Sequence, residues 1–470
     1  MPAMAAPNWK NRTMWTGDNL DIMRGMNGKS VDLIYLDPPF NSNEDYSAPV
    51  GSEAAGAAFK DTWTLSDVDE AWHGEIADKE PALYAIIDAA GLSHGKSMKS
   101  YLIMMAVRLL EMRRLLKPTG SLYLHCDPTA GHYLKMTLDC VFGRANFRNE
   151  IVWQRTTVHS DSKTWSRISD TILFYSKGKS MTWNAPYAPH ADEYVDKKYR
   201  YADGDGRRYM LDNMTSPNPR PNMMYEWKGF PYPAKGWRYS QETMARLDAD
   251  GRVWYPTLED GTYDTNRRPR LKRYLDEMKG NVMGNIWNDL PPINSQAKER
   301  TGYPTQKPLV LLDRIIKASS NPGDIVLDPF AGCATACVAA ERLKRHWVGI
   351  DLSPVAASLV VSRLREEGSL LFPTHKRIDI PRRTDLGKLP SYKTHKHQLF
   401  GKQEGICAGC RVVFPFRNMT IDHIVPQSKG GTDHIDNLQL LCGACNSLKG
   451  NRDQARFLAD LKARGIVGAE

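Results

Sequence analysis

Several features that would set the class of a protein are scarce or missing from this sequence. No apolar run reaches the roughly 18 residues that a membrane span needs, so we expect no membrane association. The first ten residues lack a basic start followed by an apolar segment, so we expect a cytoplasmic protein rather than a secreted one. The 8 cysteines exclude a disulfide-dense scaffold. No GxxxxGK[ST] loop occurs, so ATP-driven movement has no support.

Positive charge is in excess, and the chain is long. Its 63 Lys and Arg residues outnumber its 54 Asp and Glu residues, which gives a formal net charge of +9. Such an excess favours a polyanionic partner. At 470 residues, two or three domains are expected.

Apolar periodicity predicts alternating strands and helices in two stretches of the chain. The segments with buried-strand character are Ser30–Leu36, Gly120–His125, Asp324–Leu327 and Trp347–Ile350. The segments with helical spacing are Met98–Leu116, Pro308–Ser319 and Ala334–Leu343. A strand, a helix and a second strand form a βαβ unit, the building block of a doubly wound parallel sheet. We therefore predict an α/β fold.

Residues 149–296 differ in character from the segments around them. Tyr, Trp, Arg and Pro become frequent there, and the periodicity fades. Tyr199-Arg200-Tyr201 and Asn266-Arg267-Arg268-Pro269-Arg270 interleave aromatic and cationic side chains, which suit base stacking and phosphate contact. Taken alone, the pattern fits a structural insertion with solvated charge equally well.

These changes of character divide the chain into six segments. We predict the two parts of an α/β domain at 1–150 and 296–370, with an inserted region at 151–295. A basic, proline-punctuated linker at 371–400 leads to a small Cys- and His-bearing module at 401–456 and a tail at 457–470.

A turn of small residues follows the predicted strand at 324–327. Asp328-Pro329-Phe330-Ala331-Gly332 lets the backbone approach a ligand beside a helix N-terminus. Asp351 closes the next strand and can accept hydrogen bonds from ribose hydroxyls. The pair predicts a nucleoside cofactor. A generic dinucleotide site is the alternative, although the turn is not GxGxxG.

This turn resembles motif I of the DNA amino-methyltransferases, Asp-Pro-Phe-x-Gly-x-Gly-Thr, with Ala334 in place of the second Gly. We expect Ala334 to have a negative φ, which would still let the backbone approach the cofactor closely, with some loss of affinity for the cofactor. Tyr303-Pro304-Thr305-Gln306-Lys307-Pro308 looks like the family's motif X, which wraps the methionine end of the cofactor. The resemblance implies S-adenosylmethionine as cofactor, bound by Asp328, Pro329, Phe330, Gly332, Asp351, Thr305 and Lys307.

Asp37-Pro38-Pro39-Phe40 directly follows the apolar strand at 31–36, and its prolines hold the backbone extended. An exocyclic amino group is a poor nucleophile because its lone pair is delocalised into the ring. The Asp37 carboxylate and the Pro38 carbonyl could accept its two N–H bonds and turn the lone pair toward a methyl donor. Phe40 could stack on a base flipped from the duplex.

The order of these motifs adds information. The catalytic motif comes first, then the insertion, then the cofactor motif, which is similar to the β-class amino-methyltransferases and to the Mod subunits of type III restriction systems. The resemblance implies a Rossmann-like methyltransferase domain whose insertion recognises a double-stranded DNA target. It also implies a prokaryotic or phage protein that associates with DNA, for which a homodimer is a common form.

The resemblance favours adenine N6 as the methylated atom. Cytosine N4 is the alternative, although cytosine enzymes more often carry Ser at the position of Asp37. No Pro-Cys dipeptide occurs, which argues against covalent C5-cytosine chemistry.

Two CxxC pairs mark the C-terminal module. Four thiolates from Cys407, Cys410, Cys442 and Cys445 predict a closed tetrahedral Zn²⁺ site that is structural. In so small a module, the metal contributes much of the folding free energy.

Asp422-His423, Gly430-Gly431, Asn437 and Asn446 lie beside these pairs, and the segment resembles the ββα-metal HNH nucleases of the McrA-like type. The resemblance implies that His423 is the general base and that Asn437 fixes its loop. Asp422 and Asn446 would hold Mg²⁺ or Mn²⁺. Asn446 makes this an HNN variant.

Three functions follow from the two resemblances. The first is a single-chain restriction and modification enzyme. The second is a modification enzyme whose zinc module only binds DNA. The third is a nuclease that cuts DNA of another methylation state.

Overall fold

The computed structural model describes residues 6–41, 45–47, 52, 58–60, 72–77, 80–158, 163–294, 297–367, 373–385 and 391–467. The chain forms two compact units, one of Met1–Asn184 with Gly284–Glu470 and one of Ala185–Met283. Within the described ranges, no helix is long and apolar enough to cross a membrane.

A nine-stranded sheet forms the centre of the larger unit. In chain order its strands are β1 (Thr13–Thr16), β2 (Val31–Leu36), β3 (Leu116–Cys126), β4 (Phe147–Gln154), β5 (Ser169–Ser176), β6 (Ile286–Trp287), β7 (Ile325–Asp328), β8 (His346–Asp351) and β9 (His375–Arg377). Their spatial order is β6-β4-β5-β3-β2-β7-β8-β1-β9. β5 is antiparallel to both of its neighbours, and the other pairs are parallel. The sheet is therefore mixed rather than wholly parallel.

Helices cover both faces of this sheet. Alternate residues of β2 point to opposite faces, so that Ile34 and Leu36 join one core and Leu33 and Tyr35 join the other. The helices of the first core are Asn19–Gly25, Pro81–Ser93, Lys96–Leu115 and Gly131–Leu138. Those of the second core are Leu309–Ser319, Thr335–Arg342 and Pro354–Glu366. The predicted α/β fold is confirmed, and each predicted strand and helix lies within one or two residues of an observed element or inside a longer one.

The smaller unit contains a four-stranded antiparallel sheet in the order Val253–Trp254, Arg270–Tyr274, Arg208–Asn213, Tyr201–Ala202. It also contains the helices Asp192–Lys198 and Gln241–Ala249 and the paired strands Tyr187–Ala188 and Asn281–Val282. Its core includes Met214, Trp237, Met244, Val253 and Leu271. The unit is narrower than the predicted insertion at 151–295 because β4, β5 and β6 pair into the main sheet.

Several aromatic and cationic residues of this unit pack against other residues of the same unit. Tyr199 is buried, and the Arg207 guanidinium lies 4.0 Å from the centroid of the Tyr274 ring. Arg267 and Arg268 are exposed, as expected for residues that contact phosphate. The interleaved pattern therefore reflects packing at Tyr199 and surface charge at Arg267 and Arg268.

The C-terminal module is a ββα unit with two flanking helices. Met419–His423 and Leu438–Cys442 pair as antiparallel strands, and the helix Gly443–Lys449 follows them. The flanking helices are Lys396–Gln403 and Gln454–Ala463, whose Phe400 and Phe457 are buried in the core of the module. The module thus extends into the segments predicted as linker and tail. Another part of the predicted linker forms β9, which pairs with β1 in the main sheet. A separate antiparallel pair of strands, Asp45–Ser47 and Ala58–Lys60, also belongs to the larger unit.

Candidate functional site

Two neighbouring strands bring the two Asp-Pro motifs together. β2 and β7 are parallel, with Leu33 opposite Val326 and Ile34 opposite Leu327, so Asp37 and Asp328 reach the same edge of the sheet. A cavity of about 570 Å³ lies at this edge. Its lining includes every residue predicted for catalysis or cofactor binding in the methyltransferase domain: Asp37, Pro38, Pro39, Phe40, Thr305, Lys307, Asp328, Pro329, Phe330, Gly332 and Asp351.

The carboxylates of the cofactor motif are held by backbone amides. The Gly332 and Ser353 amides each donate to Asp351 at 2.8 Å, and the Phe330 amide donates to Asp328 Oδ1 at 3.1 Å. Burial raises the pKa of Asp328 well above its ordinary range, and the nearby Asp37 and Asp351 raise it further. Burial also raises the pKa of Asp351. Three carboxylates lining one cavity suit a cationic ligand, and the sulfonium of S-adenosylmethionine fits this requirement.

The turn before the helix Thr335–Arg342 departs from expectation at Ala334. Its φ is +59°, in the left-handed region, whereas a negative φ was expected. Gly332 is also left-handed, and a Cβ there would lie 3.1 Å from Tyr303 Cε1. The turn needs two left-handed residues in close succession, and alanine adopts this conformation at a cost of about 1–2 kcal/mol.

Lys307 lies against the catalytic motif. Its Nζ donates to Asp37 Oδ2 at 2.6 Å and to the Thr305 carbonyl at 3.3 Å. Asp37 Oδ1 is buried, and no residue in the described ranges donates a hydrogen bond to it. Thr305 is left-handed with a φ of 60°, and Gln306 bonds back to Thr301, which fixes the turn that carries Lys307.

A second cavity of about 740 Å³ shares part of its wall with the first. Both cavities are lined by Phe40, Tyr303, Thr305, Gln306 and Lys307. The other side of the second cavity carries polar, charged and aromatic groups: Asp127, Trp153, Arg155, Arg167, Asp170 and Arg300. The two cavities are therefore adjacent and share five lining residues.

Sequence reasoning missed a buried histidine behind that wall. His125 Nδ1 lies 3.0 Å from the Tyr35 hydroxyl, and its Nε2 lies 3.1 Å from Asp170 Oδ2. The His125 ring stacks on Phe40 with a centroid separation of 6.0 Å. Burial opposes the charge on Asp170, but the hydrogen bond from His125 and the charges of His125, Lys307 and Arg155 lower its pKa overall. The available signal was a polar residue near the carboxyl end of a buried strand.

The four cysteines of the C-terminal module form one cluster. One sulfur atom from each of Cys407, Cys410, Cys442 and Cys445 lies within 4.8 Å of the others. The amides of Gly409 and Cys442 donate to Cys407 Sγ at 3.4 and 3.2 Å, which favours a thiolate. The cluster fits a closed tetrahedral Zn²⁺ site.

The HNH residues lie on and beside the paired strands of the module. His423 Nε2 lies 2.9 Å from Asp433 Oδ1. Asn437 accepts from the Val425 amide at 2.9 Å and donates to the carbonyls of Val425 and Thr432 at 3.0 Å, so it bridges two parts of the loop after His423.

The carboxylate of Asp422 has two donors that the sequence did not reveal. Its Oδ2 accepts from Gln439 at 2.8 Å and lies 2.9 Å from Nζ of the fully buried Lys449. Lys449 also donates to the His423 carbonyl at 2.7 Å. Asn446 is half-buried on the same helix as Lys449. Two donors therefore occupy Oδ2 of Asp422.

Known proteins share both regions of the chain. The profile of a DNA methylase family matches residues 31–362, and that of an HNH endonuclease family matches residues 407–452. The Type II methyltransferase M.EcaI of Enterobacter cloacae is 33% identical over 358 residues, which cover 75% of this chain and 69% of that protein. The StyLTI Mod subunit of a Type III restriction-modification enzyme from Salmonella typhimurium is 28% identical over 360 residues, which cover 70% of this chain and 50% of that protein.

A third relative matches a shorter segment. The DNA adenine methyltransferase YhdJ of Escherichia coli is 47% identical over 83 residues, which cover 18% of this chain and 28% of that protein. The matches to the two longer relatives span most of the methylase region described above. This chain belongs to the N6/N4 DNA methylase family and carries an HNH endonuclease domain in its C-terminal part.

Proposed function

We propose that this protein methylates adenine N6 in double-stranded DNA and that its HNH domain cuts DNA, so that one chain carries out modification and restriction. The observation that carries the first part is the buried Asp37 Oδ1, an acceptor that no described residue uses. Asp37 lines the first cavity and contacts Lys307, which lines both cavities.

The chemistry follows from two acceptors at one amino group. Asp37 Oδ1 and the Pro38 carbonyl accept the two N–H bonds and draw the nitrogen lone pair out of the ring system. S-adenosylmethionine, when bound, supplies a methyl group on an electrophilic sulfonium. As the nitrogen gains the methyl group it loses a proton, which Asp37 Oδ1 is positioned to accept. Alignment of the amino group with the first cavity supplies much of the acceleration.

Adenine is favoured over cytosine by the carboxylate at residue 37, since cytosine enzymes more often carry serine there. The test uses labelled S-adenosylmethionine, the His423→Ala protein and nucleoside analysis of the DNA. We expect N6-methyladenine, and N4-methylcytosine as the sole product would overturn the proposal. Sequencing of the modified DNA would give the target site in the same experiment.

For the nuclease, we propose His423 as the general base, oriented by Asp433 at 2.9 Å. Asp422 and Asn446 would hold Mg²⁺ or Mn²⁺, which supplies positive charge at the scissile phosphate. Zn²⁺ at the four cysteines would hold the module together without taking part in the reaction.

Cleavage is tested on plasmids that are unmethylated, methylated by this enzyme, or methylated at other sites. We expect the wild type to cut unmethylated DNA in the presence of Mg²⁺ and the His423→Ala protein not to cut. If the wild type cuts none of these plasmids, the proposed cleavage is overturned and the alternative of a module that only binds DNA stands. If it cuts only methylated DNA, it acts on DNA of another methylation state.

A further inference from the structure

We infer that Lys307 is a positioning residue for Asp37. Its ammonium orients the carboxylate that receives the amino group of the base, in addition to any contact with the cofactor. This inference rests on the proposed amino-methyl transfer. It goes beyond the sequence expectation, which gave Lys307 a role at the methionine end of S-adenosylmethionine.

The contact between the two residues is close and partly shielded from water. Lys307 Nζ lies 2.6 Å from Asp37 Oδ2, and the two side chains are 9% and 18% exposed. A charge-assisted hydrogen bond with so little solvent around it is stronger than a surface ion pair. Hydrogen bonds from Thr301 to the Gln306 side chain fix the turn at 305–307, so the backbone that carries Lys307 is also held in place.

This contact divides the two oxygens of the carboxylate between two tasks. Oδ2 is occupied by Lys307, and Oδ1 is the buried oxygen without a described donor. Rotation of the carboxylate would break the bond to Lys307. Lys307 therefore fixes the oxygen that receives the amino N–H.

The positive charge has a second consequence. Asp37, Asp328 and Asp351 line one cavity, so negative charge gathers there. The ammonium of Lys307, in contact with Asp37 Oδ2, offsets part of the repulsion among these carboxylates.

Lys307 also contacts the residue expected to stack on the base. Its Nζ lies 5.3 Å from the centroid of the Phe40 ring, a distance typical of a cation–π interaction. The lysine thus contacts both Asp37 and Phe40, and it lines both cavities. A residue dedicated to the cofactor would not need the second set of contacts.

The experiment compares the wild type with Lys307→Gln, Lys307→Ala and Lys307→Arg. Calorimetry measures the Kd of S-adenosylmethionine, and single-turnover methylation of a DNA duplex measures the rate of methyl transfer. We expect Lys307→Gln to lower the rate about 100-fold and to raise the Kd less than about 5-fold. Lys307→Arg, which keeps the charge, should retain more activity than Lys307→Gln. In Lys307→Ala, added ethylammonium should restore part of the rate.

A double-mutant cycle completes the test. If Lys307 acts through Asp37, then Asp37→Ala/Lys307→Gln should be no slower than Asp37→Ala alone. Two results would overturn the inference and leave the proposed function intact. In the first, the rate losses of the two single variants multiply in the double variant. In the second, Lys307→Gln changes only the Kd of S-adenosylmethionine. A wild type that methylates no DNA would instead overturn the proposed function. If Lys307→Gln does not fold, the comparison of Lys307→Arg with the wild type and the ethylammonium rescue still decide the question.

Discussion

At the scale of single residues, buried carboxylates determine the electrostatics of the methyl-transfer site. Asp328 is buried and Asp351 is half-buried, and burial raises the pKa of both carboxyl groups. Asp37 lies in the same cavity with an ammonium beside it. Carboxylates gathered in this way disfavour the empty site and favour one that holds a cation. This arrangement links cofactor binding, pH and stability at Asp328 and Asp351.

The first prediction concerns Asp37. Asp37→Ala should reduce methylation about 1000-fold, because it removes the acceptor that activates the amino group. The Kd of S-adenosylmethionine should change little, because Asp328 and Asp351 remain. Asp88→Ala is a matched control, since its carboxylate pairs with Lys99 and does not line the cavity. Full methylation by Asp37→Ala would contradict the catalytic role.

The second prediction concerns Asp328 and pH. Its folded pKa is raised above the unfolded value, so the folded state binds more protons and stability falls as pH rises from about 4 through the folded pKa. In the cofactor-free protein, Asp328→Asn should therefore raise the melting temperature at pH 8 and have a smaller effect at pH 5. Thermal denaturation at both pH values measures this, and a larger gain at pH 5 would show that burial is not the cause. The same variant should bind S-adenosylmethionine more weakly.

The third prediction concerns Ala334. Ala334→Gly removes the strain of a left-handed alanine, about 1–2 kcal/mol, and adds about 0.4–1 kcal/mol of unfolded-chain freedom. The free energy of unfolding should therefore rise by about 0.5–1 kcal/mol in urea denaturation. Ala336→Gly, in the helix that follows, is the control and should destabilise the protein by about 1 kcal/mol. Equal effects of the two changes would argue against the strain at Ala334.

At the scale of secondary-structure elements, the sequence predicted what local patterns encode. The strands at 31–36 and 325–328 are mainly apolar because both of their faces are buried, and the helix at 309–319 has apolar residues at helical spacing. Composition also predicted the cysteine cluster, since CxxC pairs are rare by chance. The β5 strand lies within the predicted insertion, and neither the strand nor its antiparallel direction was predicted. Strand direction depends on the path of the chain between strands.

The parts of the site that escaped prediction depend on contacts between distant segments. Asp37 and Lys307 are 270 residues apart in the chain, so no local sequence pattern predicts their ion pair. A lysine such as Lys449 is ordinarily expected at the surface, yet it is fully buried beside Asp422. The φ of Ala334 follows from the shape of the turn around the cofactor cavity, and alanine gives no sign of a left-handed position. Tertiary packing decided each of these.

The fourth prediction concerns the zinc-binding module as an element. Treatment with a strong chelator, or the change Cys445→Ser, should release one Zn²⁺ per chain and make residues 391–467 sensitive to protease. Metal content by atomic absorption and limited proteolysis measure the two effects. Cys140→Ser is the control, because Cys140 is half-buried and outside the cluster. A chelated protein with unchanged proteolysis would show that the metal does not stabilise the module.

At the scale of the whole molecule, the nuclease module and the methyltransferase domain meet at a close contact. A Cβ at Gly401 would overlap Nε1 of Trp72, and a Cβ at Gly74 would lie 2.6 Å from His397 Cε1. Two glycines therefore let residues 72–77 approach the helix Lys396–Gln403 closely. Trp72 also lines the first cavity, and Tyr392, just before that helix, lies 4.9 Å from the His423 ring.

This contact bears on how the two activities can be separated by experiment. A protein shortened before residue 391 would lose the helix behind Trp72, and with it the support for one wall of the cavity that is expected to bind S-adenosylmethionine. Truncation thus changes the methyltransferase as well as removing the nuclease, and a fall in methylation after truncation would not by itself reveal communication between the domains. Single substitutions such as His423→Ala leave the helix in place, and they are the way to obtain a methyltransferase without cleavage.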